Sequence, residues 1–215
     1  MIFTGERPTF ENGLESSRMR YKSTLPFCIN KNVVDFGCGI GIGSFFLSKF
    51  ANHVIGYDIS KEALNEASLI FSNLKEPIKN LQFMYHFENV IITCEHRDFH
   101  STISNTIFNI IECIEHIEKN DLCILLNTIK KFDIICTTPN GDYFKYHPMT
   151  MDERRGHHVW HYTKIELEQL FKQYYKFVEV YSHIHDPIIN QDTSYMIYAT
   201  NRINWDDSFI NRGVA

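Results

Sequence analysis

The chain has 215 residues, 44% hydrophobic and 22% charged, with a formal net charge of -5. That is enough material for one domain with a continuous core, and the composition excludes a disordered chain. No run of basic residues stands out, and Lys130-Lys131 and Arg154-Arg155 are only pairs, which weighs against a long nucleic acid as partner.

No apolar stretch approaches the roughly 20 residues that span a bilayer, and the start, Met1-Ile2-Phe3-Thr4-Gly5-Glu6-Arg7, lacks an apolar signal region. A cytoplasmic protein without a membrane partner is expected. The six cysteines, Cys28, Cys38, Cys94, Cys113, Cys123 and Cys136, form no C-x-x-C pair and match no zinc spacing. Most sit in apolar runs, as expected for small buried side chains in a reducing compartment.

Taken in chain order, residues 14–26 read as a helix that ends before Pro26. Asn32 to Phe36 is a short apolar strand that runs into glycines, and residues 42–51 read as a helix. His53 to Tyr57 is a second strand closed by Asp58, and Ser60 is a good N-cap for a helix from Lys61 to about Asn73. Residues 74–105 are ambiguous: Leu81 to Tyr85 and Val90 to Cys94 both have strand character, and the second is preferred. Then follow a strand at Phe108–Glu112, a helix at Asp121–Lys130, a strand at Phe132–Cys136 and a helix at Tyr162–Tyr175. Phe177–Ile184 and Ser194–Thr200 alternate as strands with no helix between them. Strands alternating with helices predict an α/β, doubly wound, mostly parallel sheet, and the closing strand pair predicts an antiparallel last strand.

The chemistry concentrates first at Asp35-Phe36-Gly37-Cys38-Gly39-Ile40-Gly41-Ile42-Gly43. An apolar strand precedes this turn and a helix follows it. Glycines let the backbone turn sharply and approach a ligand. Asp58, at the tip of the next strand, can accept both hydroxyls of a ribose. A dinucleotide fingerprint holds a pyrophosphate at the helix start, which Asp35 would repel. The same acid suits the ammonium of a methionine moiety.

The segment Val33-Val34-Asp35-Phe36-Gly37-Cys38-Gly39-Ile40-Gly41 resembles motif I of class I S-adenosylmethionine-dependent methyltransferases. The resemblance implies a Rossmann-like, seven-stranded sheet and S-adenosyl-L-methionine as cofactor. It implies that Asp35, Gly37, Gly39, Asp58 and the adjacent Ile59 line the cofactor site. An acid after the third strand would face the adenine: Asp98 if that strand is residues 90–95, Glu88 if it is residues 81–86, with Asp98 preferred.

Glu112-Cys113-Ile114-Glu115-His116 resembles the E-x-x-E-H segment after strand 4 of many methyltransferases, among them ubiquinone-type, saccharide and small-RNA 3'-terminal enzymes. Strand ends of this kind are where open α/β sheets bind ligands. Glu112 is assigned to the cofactor, and Glu115, His116 and His158 to catalysis, with His116 as general base. Thr137-Thr138-Pro139-Asn140 resembles a turn shared by these families and reads chiefly as structure. His157 to Tyr162 reads as a pocket wall, and Thr163 with Glu166 as a capping box.

The start Phe3-Thr4-Gly5-Glu6-Arg7, with Arg20-Tyr21 and Leu25-Pro26-Phe27, is similar to a group associated with polysaccharide biosynthesis. The first reading is therefore O-methylation of a small molecule or saccharide. The second is 2'-O-methylation of an RNA 3' end, with a divalent metal on Glu112, Glu115, His116 and His158; nucleic acid and metal are the less favoured options. The third is a non-catalytic binding subunit.

Overall fold

Burial in two faces explains the first two strands of the computed structural model, which is described for residues 14–95, 105–146, 158–186 and 191–202. Every residue of β1 (Asn32–Phe36) is buried, as are four of the five in β2 (His53–Tyr57). Such continuous apolar runs suit a parallel sheet covered on both sides. β1 pairs in parallel with β2, Val34 opposite Ile55, and β2 with β3 (Leu81–Met84), Ile55 opposite Gln82. The whole sheet has seven strands in the order β3-β2-β1-β4-β5-β7-β6. It is mostly parallel, as expected from the alternation of strands and helices.

The chain divides into two compact units, with the division between Asn109 and Ile110. The unit before it holds α1 (Leu14–Cys28), β1, α2 (Ile42–Leu47), β2, α3 (Lys61–Ser72), β3, α4 (Phe87–Glu95) and most of β4 (Thr106–Ile111). Ser60 caps α3 as expected, its hydroxyl accepting from the Ala63 amide at 3.2 Å.

Several boundaries differ from the sequence expectation, and three of the differences have a clear physical reason or bear on the site. Helix α1 does not stop before Pro26 but carries it inside and ends at Cys28. Phe27 and Cys28 are both buried, and the Ile29 amide still bonds the Leu25 carbonyl at 3.2 Å, so packing offsets the hydrogen bond that proline removes. Helix α2 is short and stops at Leu47. The third strand is Leu81–Met84, not residues 90–94, which lie in α4. There Val90 and Cys94 are buried four residues apart while Ile92 is 59% exposed. That is helical periodicity, and it overrides the strand preference of a β-branched run.

The second unit holds the end of β4, a 3-10 turn (Ile114–His116), α5 (Lys119–Ile129), β5 (Asp133–Pro139), α6 (Gly141–Tyr146), α7 (Lys164–Phe171), β6 (Phe177–Asp186) and β7 (Gln191–Thr200). All seven residues of β5 are buried. β7 runs antiparallel to β5, Cys136 opposite Ile197, and antiparallel to β6, Val180 opposite Ile197. The antiparallel closing strand is as expected. The short helix α6 was not foreseen. All six cysteines are free, and four are buried. Among the described residues no helix is long and apolar enough to cross a membrane.

Candidate active site

The glycine turn after β1 has left-handed backbone at Gly37, Gly39 and Gly41. Gly39 is the informative one. Its φ is +55°, and a Cβ built there would meet nothing within 4 Å, so open space lies over the backbone at this point. This is what a close ligand approach requires. At Gly43, by contrast, a Cβ would lie 1.9 Å from Cζ of Tyr21, so that glycine serves packing.

Asp58 ties the turn to the next strand. Its Oδ2 accepts from the Gly39 amide and its Oδ1 from the Ser60 amide, each at 2.8 Å. A carboxylate has about four acceptor positions, so lone pairs remain for ligand hydroxyls. The side chain is half-buried, as is Ile59 beside it.

Asp35 is fully buried. Ser44 Oγ donates to its Oδ2 at 2.6 Å and Asn109 Nδ2 to its Oδ1 at 3.0 Å. The Tyr21 hydroxyl reaches both oxygens, at 3.1 and 3.2 Å. Burial raises its carboxyl to about 6, against the opposing pull of these donors. Glu88 follows β3, at the start of α4, and is exposed. With the third strand at Leu81–Met84, the premise for preferring Asp98 falls away; Asp98 itself lies outside the described residues, as do Phe3–Arg7 and His157.

The second cluster belongs to the unit after Asn109. Glu112 adopts φ +45°, a left-handed conformation unusual for a residue with a Cβ, and its amide bonds the Thr137 carbonyl at 3.0 Å. Such strain at a strand end is typical of functional turns. It reverses the chain into the 3-10 turn, where Glu115 is fully buried and His116 is partly exposed.

Thr138 Oγ1 donates to Glu115 Oε2 at 2.9 Å, and His116 Nε2 lies 3.9 Å from Glu115 Oε1. The His116 and His158 rings meet edge-to-face, with centroids 4.8 Å apart. One ligand atom each from Glu115, His116 and His158 fall within 4.8 Å of one another. The fold thus brings together three residues that the sequence analysis assigns to catalysis.

Two contacts explain how His158 reaches that place. The Val159 and Trp160 amides both bond the Glu115 carbonyl, at 2.7 and 3.1 Å. His158 Nδ1 lies 2.6 Å from His161 Nε2. Trp160 remains 47% exposed, with the Lys119 ammonium 6.0 Å from its ring centre. The capping box is present: Thr163 and Glu166 satisfy each other's amides, at 3.2 and 2.9 Å.

Sequence reasoning missed Tyr21 and Asn109 around Asp35, Thr138 as partner of Glu115, and His161 as partner of His158. Thr138 and His161 carried a signal, since both lie in segments singled out for other reasons. Asn109 carried none.

The donor set of this cluster, one buried carboxylate and two imidazoles, is mixed oxygen and nitrogen and fits a divalent cation such as magnesium, manganese or iron. The ligand atoms lie within 4.8 Å of one another, and side-chain rotation would have to bring them closer to share an ion with bonds of about 2.0–2.3 Å.

Comparison with known structures gives the same fold. The chain is similar to the methyltransferase domain of bacterial CtHen1 at 20% identity, covering 88% of this chain and 100% of that one, with a TM-score of 0.63. It is similar to the small RNA methyltransferase HEN1 at 19% identity, covering 93% of this chain but 27% of that one, with a TM-score of 0.62. It is also similar to the plantazolicin methyltransferase BamL, solved with a desmethyl substrate analogue and S-adenosylhomocysteine, at 16% identity, with 88% and 87% covered and a TM-score of 0.61. No curated protein matches the sequence. A family model described as a methyltransferase domain matches residues 18–174, most of the chain, and the chain belongs to that family.

Proposed function

We propose that this chain is an S-adenosylmethionine-dependent O-methyltransferase that modifies the 2'-hydroxyl at the 3' end of an RNA. The observation that carries this reading is the convergence of Glu115, His116 and His158, which suits a divalent cation able to bind a terminal vicinal diol. The likeness in fold to small-RNA methyltransferase domains supports it.

The cofactor would be held by the open backbone at Gly39 and by Asp58, whose remaining lone pairs can accept ribose hydroxyls. When bound, it supplies an electrophilic methyl group on a sulfonium. Methyl transfer is an in-line displacement, so the chief task of the chain is alignment of the acceptor oxygen. Glu115, His116 and His158 would hold the cation, which lowers the pKa of a bound hydroxyl. Thr138 would keep the Glu115 carboxylate in one orientation, and the His161 contact at Nδ1 would restrain the His158 ring.

The second reading keeps the saccharide acceptor, with His116 as a metal-free general base. The acidic net charge of -5 and the half-exposed Trp160 favour it, because an aromatic face suits a sugar ring. One experiment separates the two. Methylation of a short RNA bearing a terminal 2',3'-diol should be abolished by exhaustive chelation and restored by manganese, and the product should resist periodate. Activity on saccharides alone, unaffected by chelation, would reverse the order.

A further inference from the structure

We infer that Tyr21 is a positioning residue for the cofactor: through Asp35 it holds the glycine turn in its ligand-binding shape, and Asp35 works by bracing that turn without touching the ligand. The inference rests on the reading that this turn binds S-adenosylmethionine.

Three observations carry it. Asp35 is wholly shielded, and the acceptor positions of its carboxylate face hydroxyl and amide donors of Tyr21, Ser44 and Asn109. These donors come from α1, α2 and β4, so one side chain of β1 ties three further elements to the start of the turn. The Tyr21 ring also fills the space beside Gly43 that any larger residue would need. An acid so enclosed has both oxygens engaged by donors of the chain itself, yet it sits two residues before the first glycine of the turn. Its influence on the ligand passes through the backbone.

All of the side chains bonded to Asp35 act as donors here, so the network favours the ionised carboxylate. A proton on Asp35 would turn one of the two hydroxyls from donor to acceptor and loosen the turn. Burial raises this carboxyl to about 6, and the Tyr21 hydroxyl is one of the groups that pull it down. The other titratable groups felt at this position are Cys28 on α1, Cys38 in the turn and Asp58 at the end of β2. The two thiols are held neutral by burial, and the Asp58 charge raises Asp35 further. Loss of the Tyr21 hydroxyl therefore moves protonation of Asp35 toward neutral pH.

The test is calorimetric titration of the full chain with S-adenosylhomocysteine from pH 5 to 8, for the parent, Tyr21→Phe and Asn109→Leu. The parent should lose affinity as the pH falls through about 6. Tyr21→Phe should bind about 5- to 20-fold more weakly at pH 7, with its midpoint raised by roughly half a unit or more. Asn109→Leu should move in the same direction, which keeps the test open if one variant fails to fold. A thermal melt within a few degrees of the parent separates positioning from unfolding. Unchanged affinity and midpoint in both folded variants overturn the inference. A parent that binds no S-adenosylhomocysteine at any pH overturns the cofactor reading instead.

Discussion

The hydroxyl of Thr138, on β5, donates to Oε2 of Glu115 at 2.9 Å, and both side chains are fully buried. A carboxylate out of water is costly unless donors or a cation compensate it. Thr138 thus belongs to the cluster of Glu115, His116 and His158, although its segment reads in the sequence as a turn. Thr138→Val keeps the shape and removes the donor. It should cost about 1–3 kcal/mol of stability in urea unfolding and weaken manganese binding. Thr138→Ser should recover most of both. A valine variant with parental stability and parental metal affinity would show that this hydrogen bond is dispensable.

His161 acts on His158. The 2.6 Å contact between Nδ1 of His158 and Nε2 of His161 restrains the tilt of the ring that meets His116. Partners of this kind are typically worth about 10- to 100-fold in metal affinity. Electron paramagnetic resonance of bound manganese should show that loss for His161→Ala, with partial recovery in His161→Gln. Equal affinity in all three proteins would remove His161 from the site.

Asp58 is the residue proposed to hold the cofactor. Its two oxygens already order the Gly39 and Ser60 amides, so its removal should both delete ligand contacts and slacken the turn. Asp58→Ala should cost roughly 1.5–3 kcal/mol in binding, or about 10- to 150-fold. Calorimetry with S-adenosylhomocysteine is the measurement, and unchanged affinity would contradict the assignment.

Asp35 sets stability against binding. Its folded value of about 6 lies above the ordinary 3.8, so between those two values the native chain keeps a proton that the unfolded chain has shed. The stabilisation that goes with that proton is complete at low pH and is lost as the pH rises through the window. The loss amounts to on the order of 3 kcal/mol by pH 7. Urea unfolding at pH 4 and pH 7 should therefore show a steeper decline in the parent than in Asp35→Asn. Parallel profiles would show that Asp35 does not titrate in this range. The pH that favours the fold at this position is the opposite of the one its hydrogen-bond donors favour.

The sequence by itself determined the family and the outline of the fold. A continuous apolar strand, a glycine turn and an acid at the next strand tip are local features, written in consecutive residues from Asn32 to Asp58. Helix caps at Ser60 and Thr163 are equally local, because each depends on a side chain reaching an amide three residues away. Tertiary structure alone decided the third strand. Val90 to Cys94 has β-branched residues that suit either state, and only the burial of Val90 and Cys94 on one side selected the helix. It alone extended α1 past Pro26, since the burial of Phe27 and Cys28 is invisible to local rules.

The same division runs through the candidate site. Glu115 and His116 are adjacent in the chain and legible there, but Thr138 is 23 residues from Glu115 and Asn109 is 74 from Asp35. Partners at such separations are chosen by sheet order and packing, which bring distant side chains within hydrogen-bond reach. A single sequence carries no trace of that distance. The role of Asp35 turned on this: its place before the glycines suggested a ligand contact, while the enclosure by Tyr21, Ser44 and Asn109 makes it a brace.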